Sequence, residues 1–582
     1  MDQQNLQQQP GHEADQYPVP EATVVPMGEA WAANVHPVSV SPRSKRLRWG
    51  IAGAIVVAVV VATAAGALAL SGAAGSKSLT ASLAPKNSVA FLEVRTDLPG
   101  DQHARLADFM SHFPGFKDRA QFDNALDEVL NKLTSQVSPD LRYSSAFKPW
   151  MEGEVSIAVT EVDSVVPTLL PSDMSYKLPA AVAIFALKDR AAAESWVTSE
   201  LSRNAMKTES AAYAGTTLYT TGSGVNQGAY AFTDQALLLG TVDGVKAALD
   251  TATKGSLADN PKYQAAMKSL SGDNIARFYV DAGSYLASML GPGASLAPSL
   301  GLGVNGVPAW IAGSVRAESD RMVVDVAMPR TTDSGAGNHA SRLAAALPGS
   351  TVGVYEMHSI GAQVSKQLDA LAAGQSGAMA DSVKSIKDAL ARIGGLDWLG
   401  DGVAVVTKDG STYGGGLVVE AGDAATAGAK AATITNLAAL AGGSLKLTSR
   451  DETYKGIAIT VISIPNGPDG KPVEVAVAAK DNLVVAGYTD AFVKAVIDTT
   501  PGSSLASSSD YTAVMAAAGA SSMSSGYVNI PALEDQIGQA LLASQSSRWT
   551  LDYKPYFDHL GGVGYAVVDG NTVILRLVVM AK

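Results

Sequence analysis

The chain has 582 residues, with 43 Lys and Arg against 55 Asp and Glu, a formal charge of −12 and no cysteine. Without thiols it holds no disulfide, no thiolate nucleophile and no Cys-ligated zinc. Its acidity argues against sequence-independent nucleic-acid binding, which needs a basic face. Its length allows roughly two to four domains with sizeable cores.

Residues 1–48 are Gln-rich at 3–9 and carry prolines at 10, 18, 20, 26, 37 and 42. They show no periodic apolar spacing, so a disordered tail is predicted. No charged residue then occurs from Trp49 to Ser76. Inside this stretch, Ile51–Leu70 supplies about 20 apolar residues, enough to cross a ~30 Å hydrocarbon core. Arg43, Lys45, Arg46 and Arg48 precede it and only Lys77 follows closely. The positive-inside bias therefore places 1–48 in the cytoplasm and everything beyond about residue 75 outside. A cleaved signal peptide is the rival, but the long leading region and long apolar run fit an uncleaved signal-anchor better. The expectation is a single-pass helix at 49–70 in the cell membrane, followed by a linker at 71–80.

The remainder reads as one unit present twice. Asp234–Asp243 aligns with Asp481–Asp490, and Lys246–Asp281 with Lys494–Asn529, giving 15 identities in 46 positions. Gly240 meets Gly487, Leu257 meets Leu505, Tyr263 meets Tyr511 and Tyr279 meets Tyr527. The stretch from Pro85 to Glu93 likewise parallels that from Pro348 to Glu356, and Trp150 parallels Trp398. Repeat 1 is set at 81–330, a linker at 331–340 and repeat 2 at 341–582.

In chain order, alternation and short apolar runs predict strands at 88–95, 153–161, 180–187, 228–233, 235–240, 275–281, 310–318 and 321–328. Helical spacing predicts helices at 101–112, 118–137, 189–206, 242–252 and 260–270. Asp189 suits an N-cap, and Pro261 a first helical position. The very short turns within 228–240 and 310–328 demand hairpins, so the sheet is largely antiparallel. The predicted class is α+β: two tandem homologous domains, each a largely antiparallel sheet with packed helices, after one N-terminal transmembrane helix.

Four segments carry a family resemblance: Val89–Gln102, Phe113–Asp118, Lys148–Val159 and Gly255–Tyr263. Together they resemble the actinobacterial membrane-protein family called domain of unknown function 3352, with a weaker echo in the second repeat. The resemblance implies a membrane-linked envelope protein with no assigned activity. It offers no catalytic residues to transfer. The second repeat departs where Met357-His-Ser-Ile-Gly replaces Arg95-Thr-Asp-Leu-Pro-Gly.

No motif sustains a specific chemistry. Gly301-Leu-Gly303-Val-Asn-Gly306 has the glycine spacing of a dinucleotide loop, but a loop precedes it, Pro308 follows and a strand comes next. Ser145-Ala-Phe-Lys148 has serine–lysine spacing, but Pro149 disfavours helical geometry at Lys148 and no Lys-Thr-Gly stands downstream. The histidines at 12, 36, 103, 112, 339, 358 and 559 form no metal-binding pair at helical spacing. Asn466–Gly470 lacks the alternating acids of a calcium loop and suits a turn between strands at 457–464 and 473–479. Asp97, Asp101 and Asp108 near Arg95 and Arg105 suit a solvated helix start with i,i+4 pairs such as Asp101–Arg105. Trp150 and Trp398 suit buried aromatics ahead of a strand, rather than sugar-stacking platforms.

No catalytic, cofactor-binding or metal residue is therefore assigned, and no cofactor. The expectation is a non-enzymatic binding, scaffolding or sensing module of the bacterial cell envelope. It would be held in the membrane by 49–70, with an envelope protein, lipid or glycan as partner and no nucleic acid. The alternative is an envelope hydrolase of cell-wall or lipid substrates, its site assembled from distant residues. Segment 95–147, where the repeats differ most, is the expected partner surface.

Overall fold

A computed structural model describes residues 78–161 (apart from 97 and 99), 179–222, 227–285, 307–331, 337–374, 378–392, 394–465, 472–542 and 549–582. The tail 1–48, the apolar run 51–70, Gly301–Gly306 and Asn466–Gly470 lie outside them. Among the described residues, no helix is long and apolar enough to cross a membrane.

The fold is α+β, a large antiparallel sheet with packed helices. The first ten strands are β1 Ala90–Arg95, β2 Met151–Glu161, β3 Ala180–Leu187, β4 Thr208–Tyr213, β5 Thr216–Thr221, β6 Gly228–Phe232, β7 Ala236–Thr241, β8 Ala276–Val280, β9 Ile311–Glu318 and β10 Arg321–Pro329. They lie in the order β4-β5-β6-β7-β3-β2-β1-β8-β9-β10. The next ten are β11 Thr351–Met357, β12 Gly402–Asp409, β13 Thr412–Glu420, β14 Thr448–Tyr454, β15 Ile457–Ile464, β16 Val473–Lys480, β17 Leu483–Gly487, β18 Ser524–Asn529, β19 Leu560–Val568 and β20 Thr572–Ala581. Their order is β14-β15-β16-β17-β13-β12-β11-β18-β19-β20.

The placement of each strand follows its residues. β3 (AAVAIFAL) is apolar on both faces and sits in the interior of the sheet. The free edges are β4 (TESAAY) and β14 (TSRDETY), polar and mostly exposed. Such edges discourage pairing with other chains. Alternation did not reveal the β4–β5 hairpin, because its exposed strand has no apolar periodicity. Its tight turn is legible in hindsight: Ala214 and Gly215 have φ of 47° and 81°, and Lys455 and Gly456 at the β14–β15 turn have 49° and 82°. Two consecutive positive φ values are what a two-residue hairpin matching strand twist requires.

Helices cover both faces. On the inner face of the first ten strands, Val245 and Ala248 of the helix Val242–Leu249, with Tyr263 and Ala266 of Pro261–Ser269, pack on Phe91, Ala158 and Val182. Phe492, Val493, Tyr511 and Val514 do the same over Val403, Val405 and Val485. The Tyr263–Tyr279 and Tyr511–Tyr527 rings meet edge-to-face at 5.4 and 5.3 Å. Asp189 caps the helix Arg190–Arg203 through the Ala192 amide, and Asn260 caps Pro261–Ser269. On the outer face, Phe109, Phe113, Phe116 and Phe122 cover Ile275 and Ala317. Segment 95–147 therefore spends its large apolar side chains on internal packing.

β10 and β20 join the two sets of strands along nine antiparallel residue pairs. Asp325 lies directly opposite Arg576 in that register. Its buried carboxylate accepts from Arg576 Nε at 2.7 Å and from Arg316 Nη1 at 2.5 Å. Burial opposes ionisation of Asp325, but hydrogen bonds from the two arginines overcome it and hold the carboxyl below its ordinary value.

Two outcomes follow for urea unfolding. Tyr263→Ala should cost about 3 kcal/mol, as a large-to-small change in a packed core. Asp325→Ala should cost about 3–5 kcal/mol at pH 7, because it strands paired arginines in the sheet. The Asp325 pKa is depressed on folding, so its contribution is full above the ordinary value of 3.8 and lost as pH falls through the folded-state value. The difference between wild type and variant should therefore shrink on acidification.

Candidate functional site

Beneath β1, two carboxylates are buried and balanced. Glu93 faces Arg277 of β8 across the sheet, and Arg277 Nη2 donates to Glu93 Oε1 at 2.6 Å. Arg95 Nη2 lies 2.9 Å from Glu154 Oε1, and the Thr80 amide donates to Glu154 Oε2 at 2.9 Å. The Ser78 hydroxyl donates to Glu93. Burial, then the neighbouring Glu93 charge, raises the Glu154 carboxyl above its ordinary value. Two carboxylates meet two guanidiniums.

Beneath β11 the arrangement changes. Glu356 stands where Glu93 stands, but its cross-strand neighbour on β18 is Ser525. His358 takes the place of Arg95. Asp401, just before β12, brings a second carboxylate, and His339 a second imidazole. Glu356, His358 and Asp401 are 2%, 0% and 3% exposed, while the His339 side chain is 25% exposed. His339, at the end of the stretch taken as a linker, is fixed by backbone hydrogen bonds in both directions with Ser522.

Hydrogen bonds set both imidazole tautomers. His358 Nδ1 lies 2.6 Å from the Ser522 carbonyl and His339 Nδ1 3.0 Å from the Ala340 carbonyl. A carbonyl only accepts, so each neutral ring carries its hydrogen on Nδ1 and its lone pair on Nε2. His358 Nε2 is 3.3 Å from Glu356 Oε1, and His339 Nε2 is 3.4 Å from Asp401 Oδ1. The rings stack with centroids 3.9 Å apart and planes 14° from parallel. Asp401 Oδ1 accepts from the Ser359 amide at 3.0 Å. By contrast Asp401 Oδ2 is buried and makes no hydrogen bond. Burial works against a charge on His358, but the Glu356 and Asp401 carboxylates and the Ser522 carbonyl raise its pKa above the ordinary value. Potential ligand atoms of His339, His358 and Asp401 lie within 4.8 Å of one another.

The opposite face of the same strands is open. Register places Tyr355 opposite Ala404, and Ala404 opposite Leu417. Tyr355, Val406 and Leu417 are 50%, 42% and 54% exposed. Tyr565 flanks this strip, 6.4 Å from the Tyr355 ring.

The residues singled out from sequence are mostly structural. Trp150 is buried and donates to the Ala146 carbonyl at 2.5 Å, while Trp398 packs beside Ala427 and Ala431 under the Lys430 ammonium. Lys148 pairs with Asp127 at 2.5 Å and Ser145 turns back to the Arg142 carbonyl. Asp101 pairs with Arg105 at 2.6 Å, Asp108 with Arg119 at 2.5 Å and His103 with Asp123 at 2.8 Å. His12 and His36 lie outside the described residues. Motif spacing could not find the His339–His358–Asp401 group, because its members are far apart in sequence. The available signal was the contrast of Glu93-Val-Arg95 with Glu356-Met-His358, together with Arg277 against Ser525.

The pattern of one family matches residues 51–451. The chain belongs to the DUF3352 family, described as "Protein of unknown function". The DUF3352 match begins in the apolar run and ends within β14, so it takes in both buried clusters. No curated protein and no solved structure matches the chain.

Arg277→Ala should cost about 3–5 kcal/mol, because it leaves Glu93 buried without its cation. Lys148→Ala, which breaks a half-exposed pair, should change stability by less than about 1 kcal/mol. Denaturant midpoints of the two variants test the contrast.

Proposed function

We propose that this DUF3352 protein is a membrane-tethered, non-enzymatic binding or scaffolding protein of the bacterial cell envelope. Residues 49–70 anchor it, 1–48 face the cytoplasm, and a body made of two repeats, 81–330 and 341–582, lies outside. The anchor rests on the uncharged run behind Arg43, Lys45, Arg46 and Arg48. The duplication is supported by the shared strand order and by details such as Tyr213 Oη donating to Asp250 at 3.0 Å and Tyr454 Oη to Asp498 at 2.8 Å.

The observation that carries a binding role is the strip Tyr355–Ala404–Leu417. In the first half, phenylalanines of the 95–147 segment pack on Ile275 and Ala317, beside and on β8 and β9. In the second half, large apolar side chains remain about half exposed on mid-sheet strands. Contiguous apolar surface of this kind marks interaction sites. Its aromatic and aliphatic side chains suit an apolar segment of an envelope protein.

The test uses the full chain in cells, with a tag at residue 1 and a photoreactive residue replacing Leu417. Protease added to spheroplasts should remove the body and spare the tag. Irradiation should trap one discrete protein adduct that Tyr355→Asp abolishes while leaving the folded protein abundant. A protected body defeats the topology, and adducts to lipid alone, or none, defeat the protein-binding role.

A further inference from the structure

We propose that His339, His358 and Asp401 bind one divalent first-row metal ion, with zinc the best match and Glu356 beside the site. The site lies on the inner face of the sheet and stands apart from the apolar strip. Three observations point to a cation. First, the second half lacks the cations of the first: Glu93 and Glu154 face two arginines, whereas Glu356 and Asp401 face two imidazoles, each able to offer an Nε2 lone pair. A divalent cation supplies the same two charges. Second, Asp401 Oδ2 is buried without a hydrogen bond, and burying such a group unpaired is costly. Third, the separations suit coordination. A tetrahedral ion with bonds of about 2.0–2.2 Å spaces its ligand atoms about 3.3–3.6 Å apart. His339 Nε2 to Asp401 Oδ1 is 3.4 Å, and the ligand atoms of His339, His358 and Asp401 lie within 4.8 Å of one another.

The chemistry of the donors selects the metal. Two imidazoles and a carboxylate favour zinc or its first-row neighbours over magnesium and calcium, which take all-oxygen sets. Both histidines already donate Nδ1–H to backbone carbonyls, the outer contact that orients a ligating Nε2. The stacked rings do not yet share a plane with one point, so His339 must tilt on binding. It is the most exposed of the three and can do so. Three protein ligands leave one position of a tetrahedral ion for water. The ion would fasten the chain entering the second half to β11 and to the turn before β12.

The test is zinc titration of the full chain, purified in detergent and stripped with chelator, followed by calorimetry. Cobalt serves as a spectroscopic stand-in. Wild type should take one zinc per chain, show the visible bands of tetrahedral cobalt, and ignore magnesium. His339→Ala, at the least buried position, should weaken zinc binding by at least roughly 100-fold, more than loss of an outer-shell contact does. The double variant His358→Arg with Ser525→Arg restores the cations of the first half and should fold without binding zinc. His12→Ala with His36→Ala should bind as wild type does. Absence of stoichiometric binding, or unchanged affinity in His339→Ala, overturns the proposal. So does binding that is lost only with His12 and His36.

Discussion

The antiparallel seam between β10 and β20 is the constraint on which the rest of the structure depends. Both strands are rich in Val, Leu, Ile and Met, and either one left at a sheet edge would offer apolar side chains beside unpaired backbone groups. Each strand instead covers the other, and among the described residues the sheet is left with only β4 and β14 as edges, both polar. Asp325 sits in the middle of this seam between Arg316 and Arg576. A buried carboxylate accepting from two guanidiniums is tolerable at one register only. A slip by one residue would send Asp325 to the other face and leave the arginines unpaired. The seam thus fixes how the two sets of strands meet.

Given that frame, the two halves solve one problem in different ways. Each first strand places a glutamate on the inner face near a buried tyrosine, Glu93 by Tyr263 and Glu356 by Tyr511. A carboxylate in such a place needs a cation or a proton. The first half supplies Arg277 and Arg95. The second offers His358 and Ser525, so its balance depends on something that imidazoles and carboxylates can share. The outer face diverges as well. Phenylalanines pack on Ile275 and Ala317 in the first half, while part of the second stays bare at Tyr355, Val406 and Leu417. The second half thus differs in having histidines where the first has arginines, and in an exposed apolar strip.

Local pattern determined much of this. Alternation gave β1, β2, β3 and β8–β10 to within a residue or two, and helical spacing gave Gln102–Met110, Arg190–Arg203 and Pro261–Ser269. These signals are local because burial of one face imposes its own period on each element. The hairpin β4–β5 escaped because both its faces see solvent along β4, so no apolar period exists to read. The alignment of Tyr263 with Tyr511 and Tyr279 with Tyr527 likewise came from sequence, since core positions in matching places keep matching residues.

What only the tertiary structure decided is which distant residues meet. Nothing in the spacing of His339, His358 and Asp401 brings them together. Backbone pairing of His339 with Ser522, and of β11 with β12 and β18, does so. The joining of β10 to β20 was equally invisible, because strand pairing follows register and edge geometry rather than composition. The sequence by itself determined the apolar run, the acidic balance, the absence of thiols and most of the elements. The sheet decided that Glu356 would face a serine and a histidine instead of arginines, because cross-strand neighbours are set by register and not by proximity along the chain.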